Sequence, residues 1–285
     1  MSGNGFLSPR TLLIDNNFCY EQTSFQQLYD AILSLQNLPS TGEEVGNKGG
    51  LTQLGQMSLA IYMDQIAAAV QKVQASANTL RVMYMNILTV CDKTLVVSST
   101  VKDDYDAIFN GLEELFNDPD NQTLQKRVDT TIQTRLENIT FLAHSAQGTT
   151  DGIRESTLQT IDNQLELRTL SDGLSSSAIE ERLRESRYSE EDLQHDLAAV
   201  AAIQNLFSEQ NMQDQSATSI NNMEVLLGAV SAISSDISNL RESIQESAQP
   251  GPELLLDLDE AKLLELWSHL TDEIQKFKDQ YQINF

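Results

Sequence analysis

Proline is scarce in this chain. Five occur in 285 residues, at Pro9, Pro39, Pro119, Pro250 and Pro252, and none lies between Asp120 and Gln249. Proline removes a backbone donor and clashes with the preceding helical turn, so its scarcity leaves long stretches without a built-in breaker. Glycine is likewise missing from Gln56 to Asn110. Alternating β-branched patterns bounded by turn signals are few, which argues against a sheet-based fold. Cysteine is limited to Cys19 and Cys91, which make no metal-ligand spacing. Cys91 continues an apolar periodicity and reads as a small buried hydrophobe; a Cys19–Cys91 disulfide is left open. Basic residues number 18 against 42 acidic ones, a formal net charge of −24. Such a chain lacks the basic face that phosphate recognition needs, so nucleic acid is not expected as a partner. Simple attraction to anionic lipid is weakened for the same reason.

Long apolar runs are missing as well. No stretch of about 18 uninterrupted apolar residues is present, so no constitutive transmembrane helix is expected. Residues 1–17 have neither a basic leading segment nor a continuous apolar core, and do not read as a secretory signal peptide. Chemistry-bearing motifs are few too. His144, His195 and His269 belong to no His-Glu-x-x-His array, and Gly46, Gly49 and Gly50 are not followed by Gly-Lys-Ser/Thr. There is no Gly-x-Ser-x-Gly elbow, and Asp118 and Asp120 lack the other ligands of a calcium loop. The expectation is a non-enzymatic protein with no metal and no cofactor.

What the chain does have is helical periodicity. From Leu54 to Val101, apolar residues recur at mixed three and four spacing: Leu59, Tyr62, Ile66, Val70, Val73, Ala77, Leu80, Tyr84, Ile87, Cys91 and Leu95. That is one face of a helix, and ~45 residues at 1.5 Å rise make a rod of roughly 65–70 Å. Such a seam needs partner helices of similar length. The rest of the chain supplies them: Leu124, Val128, Ile132, Leu136, Ile139, Ala143 and Ala146, resuming after Gly148 and Gly152 at Ile153, Leu158, Ile161 and Leu165; Leu193 to Phe207; and Met223 to Ile244.

The fold class expected is all-α, an elongated bundle of long antiparallel helices. It is read as a single elongated protein over 1–285: an N-terminal arm and short helix (1–50), a long-helix bundle (51–249) and a C-terminal helix bearing the only tryptophan (253–285). Local signals set the boundaries. Ser24 with Gln27 has capping-box form, residues 46–50 form a glycine-containing loop, and Asp118-Pro119 is an N-cap and N1 pair. Residues 171–177 read as a turn, residues 178–188 as a solvated charged face, and Ser189 with Asp192 as a further N-cap. Asp257 with Glu260 reads as a capping box opening the last helix. In that helix Trp267, with Leu263 and Leu270, is expected in the structural core.

Two segments are apolar enough to stand out. Met83, Tyr84, Ile87, Leu88, Leu95, Val96 and Val97 lie in the most apolar part of the chain, interrupted only by Asp92 and Lys93, with a local strand or helix break at 95–97 as an alternative. Leu197, Val200, Ile203 and Phe207 form an alanine-rich second stretch. Each reads either as buried helix packing or as a concealed membrane-contact segment.

The order of elements carries a resemblance. Tyr29 to Val73 passes from a short helix through Leu38-Pro39-Ser40-Thr41 and Glu44-Val45 into a very long helix, and Leu227 to Tyr281 passes from a seam helix into one carrying Leu266-Trp267, Ile274 and Phe277. This resembles the α-helical pore-forming toxins, the group that includes cytolysin A, haemolysin BL components and α-xenorhabdolysin subunits. The resemblance implies a rod-shaped bundle that oligomerises on a target membrane, with a homo-oligomer and a second protein component as partners, after release without a classical signal peptide. The chain departs from the group in having no strong apolar tongue between its long helices. The alternative from another class is a helical scaffold, filament or secretion-apparatus protein, which would be cytoplasmic.

Overall fold

Helices follow one another with few interruptions. The computed structural model describes residues 7–15, 17–19, 22–186, 189–208, 213–246 and 260–282. A 3₁₀ turn, Arg10–Leu12, leads into two strands of two residues each, β1 (Leu13–Ile14) and β2 (Asn17–Phe18), which pair antiparallel with Leu13 opposite Phe18. Nine α-helices are then seen among the described residues: α1 (Gln22–Gln36), α2 (Gly42–Gly49), α3 (Gln53–Ser99), α4 (Val101–Asn117), α5 (Gln122–Asp172), α6 (Ser177–Glu185), α7 (Glu190–Ser208), α8 (Gln213–Glu246) and α9 (Glu260–Gln282). The fold is all-α, built on long helices.

The 47-residue α3 shows why. One line of its buried positions runs Leu59, Met63, Ile66, Val70, Val73, Ala77, Leu80, Tyr84, Ile87 and Cys91, with Ala67, Ala69, Val90 and Val97 buried beside it. The steps alternate strictly between four and three, the 3.5-residue period that keeps a seam facing its neighbours. Met63, not Tyr62, takes the second position. The β-branched Leu95-Val96-Val97 stretch neither breaks the helix nor becomes a strand; α3 ends at Ser99 and α4 starts two residues later. In α9, Leu263, Trp267, Leu270, Ile274, Phe277 and Tyr281 repeat the same spacing, all buried.

Several local expectations are corrected. Residues 42–49 are helical: Thr41 accepts from the Glu44 N–H at 3.1 Å while the Glu44 carboxylate accepts from the Thr41 N–H at 3.2 Å, a full capping box. Gly50, at φ +87°, closes this helix in the left-handed conformation that glycine tolerates best. Ser24 lies inside α1, which starts at Gln22, so it is not an N-cap. At the start of α5 the cap is Asn121, whose Oδ1 accepts from the Leu124 N–H at 3.1 Å, rather than Asp118. Neither Gly148 nor Gly152 interrupts α5; a side chain at Gly152 would meet Met83 Sδ at 2.7 Å. The expected turn at 171–177 is replaced by the end of α5 and a 3₁₀ turn, and most of the charged segment after it forms α6. Ser189 does cap α7, accepting from the Asp192 N–H at 3.1 Å. Residues 249–252 and Asp257 lie outside the described residues.

The second half of α5 departs in part from the expected burial: Ile153 is buried and Ile161 half-buried, but the two leucines of the expected seam are not. Leu158 and Leu165 are 58% and 62% exposed, whereas Ser156, Thr157, Thr160 and Leu167 are buried. Leu158 and Leu165 occupy the outer face, and the hydroxyls of Ser156, Thr157 and Thr160 lie on the inner one with Leu167.

Contacts divide the chain into two compact units. The first comprises residues 1–22, 85–151 and 219–285; the second comprises 23–84 and 152–218. In the second unit α2 packs against α7. Asp196 of α7, fully buried, reaches the start of α3: its Oδ1 accepts from the Thr52 N–H at 2.8 Å and its Oδ2 from the Thr52 hydroxyl at 2.8 Å. The Thr52 hydroxyl oxygen in turn accepts from the Gly55 N–H at 3.0 Å. Gly55 permits this approach, since a Cβ there would sit 2.4 Å from Asp196 Oδ2. Next to it, His195 Nε2 lies 2.9 Å from the Gly50 carbonyl. A carboxylate is thereby held at the positive end of the longest helix of this unit's core. Replacing Asp196 with alanine strands the Thr52 N–H and should lower stability by ~1–3 kcal/mol. Chemical denaturation followed by circular dichroism measures it, and Asp196→Asn, which keeps one acceptor, should lose less.

Candidate functional site

Residues 83–101 were the leading sequence candidate, and the structure gives their side chains three environments. Tyr84, Ile87, Val90, Cys91, Thr94 and Val97 are buried; Met83, Leu88 and Leu95 are half-buried; Val96 is 67% exposed. Met83 and Tyr84 belong to the second unit, where the Tyr84 ring stacks on Phe25 at 4.2 Å and its hydroxyl donates to the Phe25 carbonyl. The remainder belongs to the first unit. The polar groups of this segment fall into two kinds. Thr94 donates to the Val90 carbonyl and Ser98 to the Thr94 carbonyl, both at 2.8 Å, so these hydroxyls are satisfied within their own helix. The two charges are satisfied from outside. Asp92 pairs with Lys278 of α9, while Lys93 donates to Ser145 Oγ at 2.8 Å and lies 4.5 Å from the centre of the Phe141 ring on α5.

The second candidate stretch lies in the second unit. Val200, Ile203 and Phe207 are buried, and Leu197 is half-buried. Ile203 is packed so closely that a side chain on Gly49 of α2 would meet it at 2.3 Å. As the molecule stands, this stretch is the α2-facing surface of α7.

Sequence reasoning missed the residue around which the first unit is packed. Arg135 of α5 has no exposed surface, and its guanidinium lies 5.3 Å from the Tyr105 ring centre and 5.2 Å from that of Trp267. Nη1 donates to the Val97 carbonyl at 2.5 Å and to Thr100 Oγ1 at 3.3 Å, with Asp104 Oδ2 3.6 Å away. Nε and Nη2 have no hydrogen-bond acceptor among the described residues. The two aromatic faces therefore supply the rest of the stabilisation a buried cation needs.

Trp267 and Tyr105 are held in turn by the N-terminal arm. The Leu7 carbonyl accepts from Trp267 Nε1 at 3.0 Å and from the Tyr105 hydroxyl at 3.2 Å, and the Leu7 N–H donates to Asp236 Oδ2 at 2.9 Å. Arg10 pairs with the same carboxylate. Leu7 has φ +59°, a conformation that costs a non-glycine residue roughly 1–2 kcal/mol, and three hydrogen bonds fix it there. Leu263 and Leu270 are buried on the Trp267 face of α9. Burial pushes the Tyr105 hydroxyl above its ordinary pKa, with Arg135 opposing the shift.

Nothing among the described residues assembles a metal site: no group of three His, Cys, Asp or Glu converges. An open groove of about 540 Å³ runs beside Leu38, Pro39, Glu44 and Lys48. Its Gln74 amide is committed to the Gln36 and Leu38 carbonyls at 3.1 and 2.8 Å. No helix among the described residues is long and apolar enough to cross a membrane.

Two predictions follow from the first unit. Trp267→Ala should cost ~3–5 kcal/mol, and Trp267→Phe, which keeps a ring but loses the bond to Leu7, ~1 kcal/mol; paired denaturation curves give both values. Glu260, at the start of α9, has its pKa raised by desolvation and by the hydrogen-bonded, like-charged Asp106. The native state thus holds the Glu260 proton more tightly than the unfolded chain does. Stability from this group is present at low pH and is lost as pH rises from the unfolded pKa through the native one. Glu260→Gln should flatten that part of the stability–pH curve without lowering stability at neutral pH, measured by thermal melts across pH 4–8 on the order of one unit apart.

No protein-family model matches this chain, and no curated protein matches it.

Proposed function

We propose that this protein is an α-helical pore-forming toxin, or one component of a multi-part pore-forming toxin, that oligomerises on a target membrane. The observation that carries this reading is the makeup of residues 83–101. The segment holds only two charges, each tied to a partner on another helix, while the buried hydroxyls of Thr94 and Ser98 are satisfied internally and Val96 already faces outward. On leaving its neighbours the segment carries two charges, Asp92 and Lys93, that need new partners in the assembled pore or a place at the water-facing side, because an unpaired charge in lipid is costly. The lost burial, worth roughly 25 cal/mol per Å² of apolar surface, is replaced by lipid or by a partner. No helix among the described residues is long and apolar enough to cross a bilayer, so the aqueous path is closed by several copies, with or without a second component, after the helices rearrange.

The scaffold or filament reading has its own support. Leu54, Met57 and Ile61 form an exposed stripe at the start of α3, and Leu158 and Leu165 another on α5. The second stripe is flanked by Asp162, Glu166 and Arg168, which suits a protein neighbour better than lipid.

Dye release from liposomes separates the two readings. Val96 is exposed, so Val96→Asp should fold normally, whereas Ile203, fully buried, is a poor site for the same test. At a lipid-facing position the aspartate costs ~2.5–3.5 kcal/mol, and release should fall by at least about tenfold with the melting temperature unchanged. Unimpaired release by a folded Val96→Asp protein removes this segment from the reading. No release by the wild type in any lipid, together with open filaments in plain buffer, favours the scaffold.

A further inference from the structure

The two cysteines of the chain lie far apart in sequence and belong to the same unit. Cys19 ends the short hairpin of the N-terminal arm and Cys91 sits on the α3 seam; both are buried and both thiols are free. Independent contacts place them in one neighbourhood. Phe18, next to Cys19, packs edge-on against Phe277 of α9 with ring centres 5.5 Å apart. Lys278, next to Phe277, pairs with Asp92, next to Cys91. The residues beside each thiol are thus bridged by two consecutive residues of α9. The Cys19 N–H donates to the Leu12 carbonyl at 2.9 Å, which fixes the hairpin that carries it.

We propose that Cys19 and Cys91 form an intramolecular disulfide in oxidising surroundings and that this bond staples the N-terminal arm to α3. Neither the pore-forming reading nor the scaffold reading is needed for it.

The chemistry requires the arm to open first. Burial raises the Cys19 pKa to about 12 and pushes Cys91 up as well, with the Cys19 and Asp92 charges adding to the shift at Cys91 and Lys278 opposing it. Thiolate, the attacking species, is therefore scarce in the closed protein. When the arm lifts away, a Cys19 thiolate attacks one sulfur of a low-molecular-weight disulfide such as oxidised glutathione, and one glutathione leaves as a thiol. The Cys91 thiolate then attacks the Cys19 sulfur, and the second glutathione leaves. Two protein thiols lose two electrons and two protons, and one glutathione disulfide becomes two thiols. Before oxidation the arm is held by the Arg10–Asp236 pair and the Leu7 hydrogen bonds; afterwards it is held covalently.

The test uses the full chain, exposed to oxidised glutathione at a denaturant concentration that partly unfolds it and then returned to native buffer. The expected product is a monomer lighter by two hydrogens, with no free thiol and no glutathione adduct, that recovers native circular dichroism. Its melting temperature should rise by about 5 °C or more, reversibly on adding dithiothreitol, as expected for a disulfide closing a long loop in a chain of this size. Cys91→Ser should stop at a glutathione adduct on Cys19. A wild-type product that keeps both adducts, forms linked dimers, or carries the internal disulfide with an unchanged or lowered melting temperature overturns the proposal. The wild-type measurements decide the matter even if Cys91→Ser fails to fold.

Discussion

The Arg135 guanidinium is a full positive charge with no exposed surface, and the first unit is arranged to tolerate it. A buried charge without partners is costly enough that its surroundings cannot be left to chance. Here the end of α3 turns the Val97 carbonyl toward it, α4 contributes Asp104 and the Tyr105 face, and α9 contributes the Trp267 face. Both aromatic side chains then need acceptors for their own donors, and one carbonyl, that of Leu7, serves them both. The arm is drawn in by this requirement. Its unfavourable Leu7 backbone is tolerated because three hydrogen bonds converge on a single residue. Arg135 is thus less a stabilising contact than a constraint fixing which face of α4 and of α9 turns inward.

The long helices obey a different rule. Their seams are held by apolar burial at heptad spacing, which is non-directional and permits small slides. Four buried hydroxyls on α3 and α5 bond within their own helix: Thr94 to Val90, Ser98 to Thr94, Thr150 to Ala146 and Thr160 to Ser156. Such bonds contribute nothing to the choice of neighbour and survive its loss. Directional ties between elements are made by neutral donors, such as Trp267 and Tyr105 to Leu7 and Tyr84 to Phe25, and by charges: Arg10 with Asp236, Arg241 with Asp129, Lys278 with Asp92 and Lys72 with Glu166. In a chain with 18 basic residues against 42 acidic ones, each such cation matters more than it would in a balanced protein.

The fold class and the two heptad helices α3 and α9 were legible because apolar spacing alone specifies them. The candidate site was legible only in outline. On α5, Ile132 and Ile139 are a heptad apart, and the position between them at the proper step is Arg135, not Leu136; counting steps strictly would have placed the arginine on the seam. Farther along, a period reader prefers Leu158 and Leu165, yet hydroxyls of Ser156 and Thr160 fill the inner face. Periodicity gives the angle of a stripe and not which of two stripes faces inward. The Thr41-to-Glu44 capping box was hidden by the glycines around it. In the N-terminal arm residues 10–12 form a 3₁₀ turn and residues 13–14 pair with 17–18, and nothing in its composition announces either this or that Leu7 binds a tryptophan 260 residues away.

These ties impose an order on any rearrangement of the apolar end of α3. Residues 85–99 cannot separate from α9 while Asp92 holds Lys278, nor from α5 while Lys93 holds Ser145 and Arg135 holds the Val97 carbonyl. Arg135 cannot give up Val97 without a substitute while Tyr105 and Trp267 enclose it, and those rings are pinned by Leu7. α9 carries a further link to the arm, through Phe277 and Phe18. The route through Arg135 therefore passes through the arm. The arm's own attachments are Arg10 to Asp236 at a partly exposed site, the hydrogen bonds of Leu7 and the burial of Leu7, Leu12 and Phe18, so freeing α9 from the arm means breaking all of these together. In the pore-forming reading the arm is the catch and residues 83–101 are what it restrains; in the scaffold reading the same order governs which face a neighbouring chain can reach.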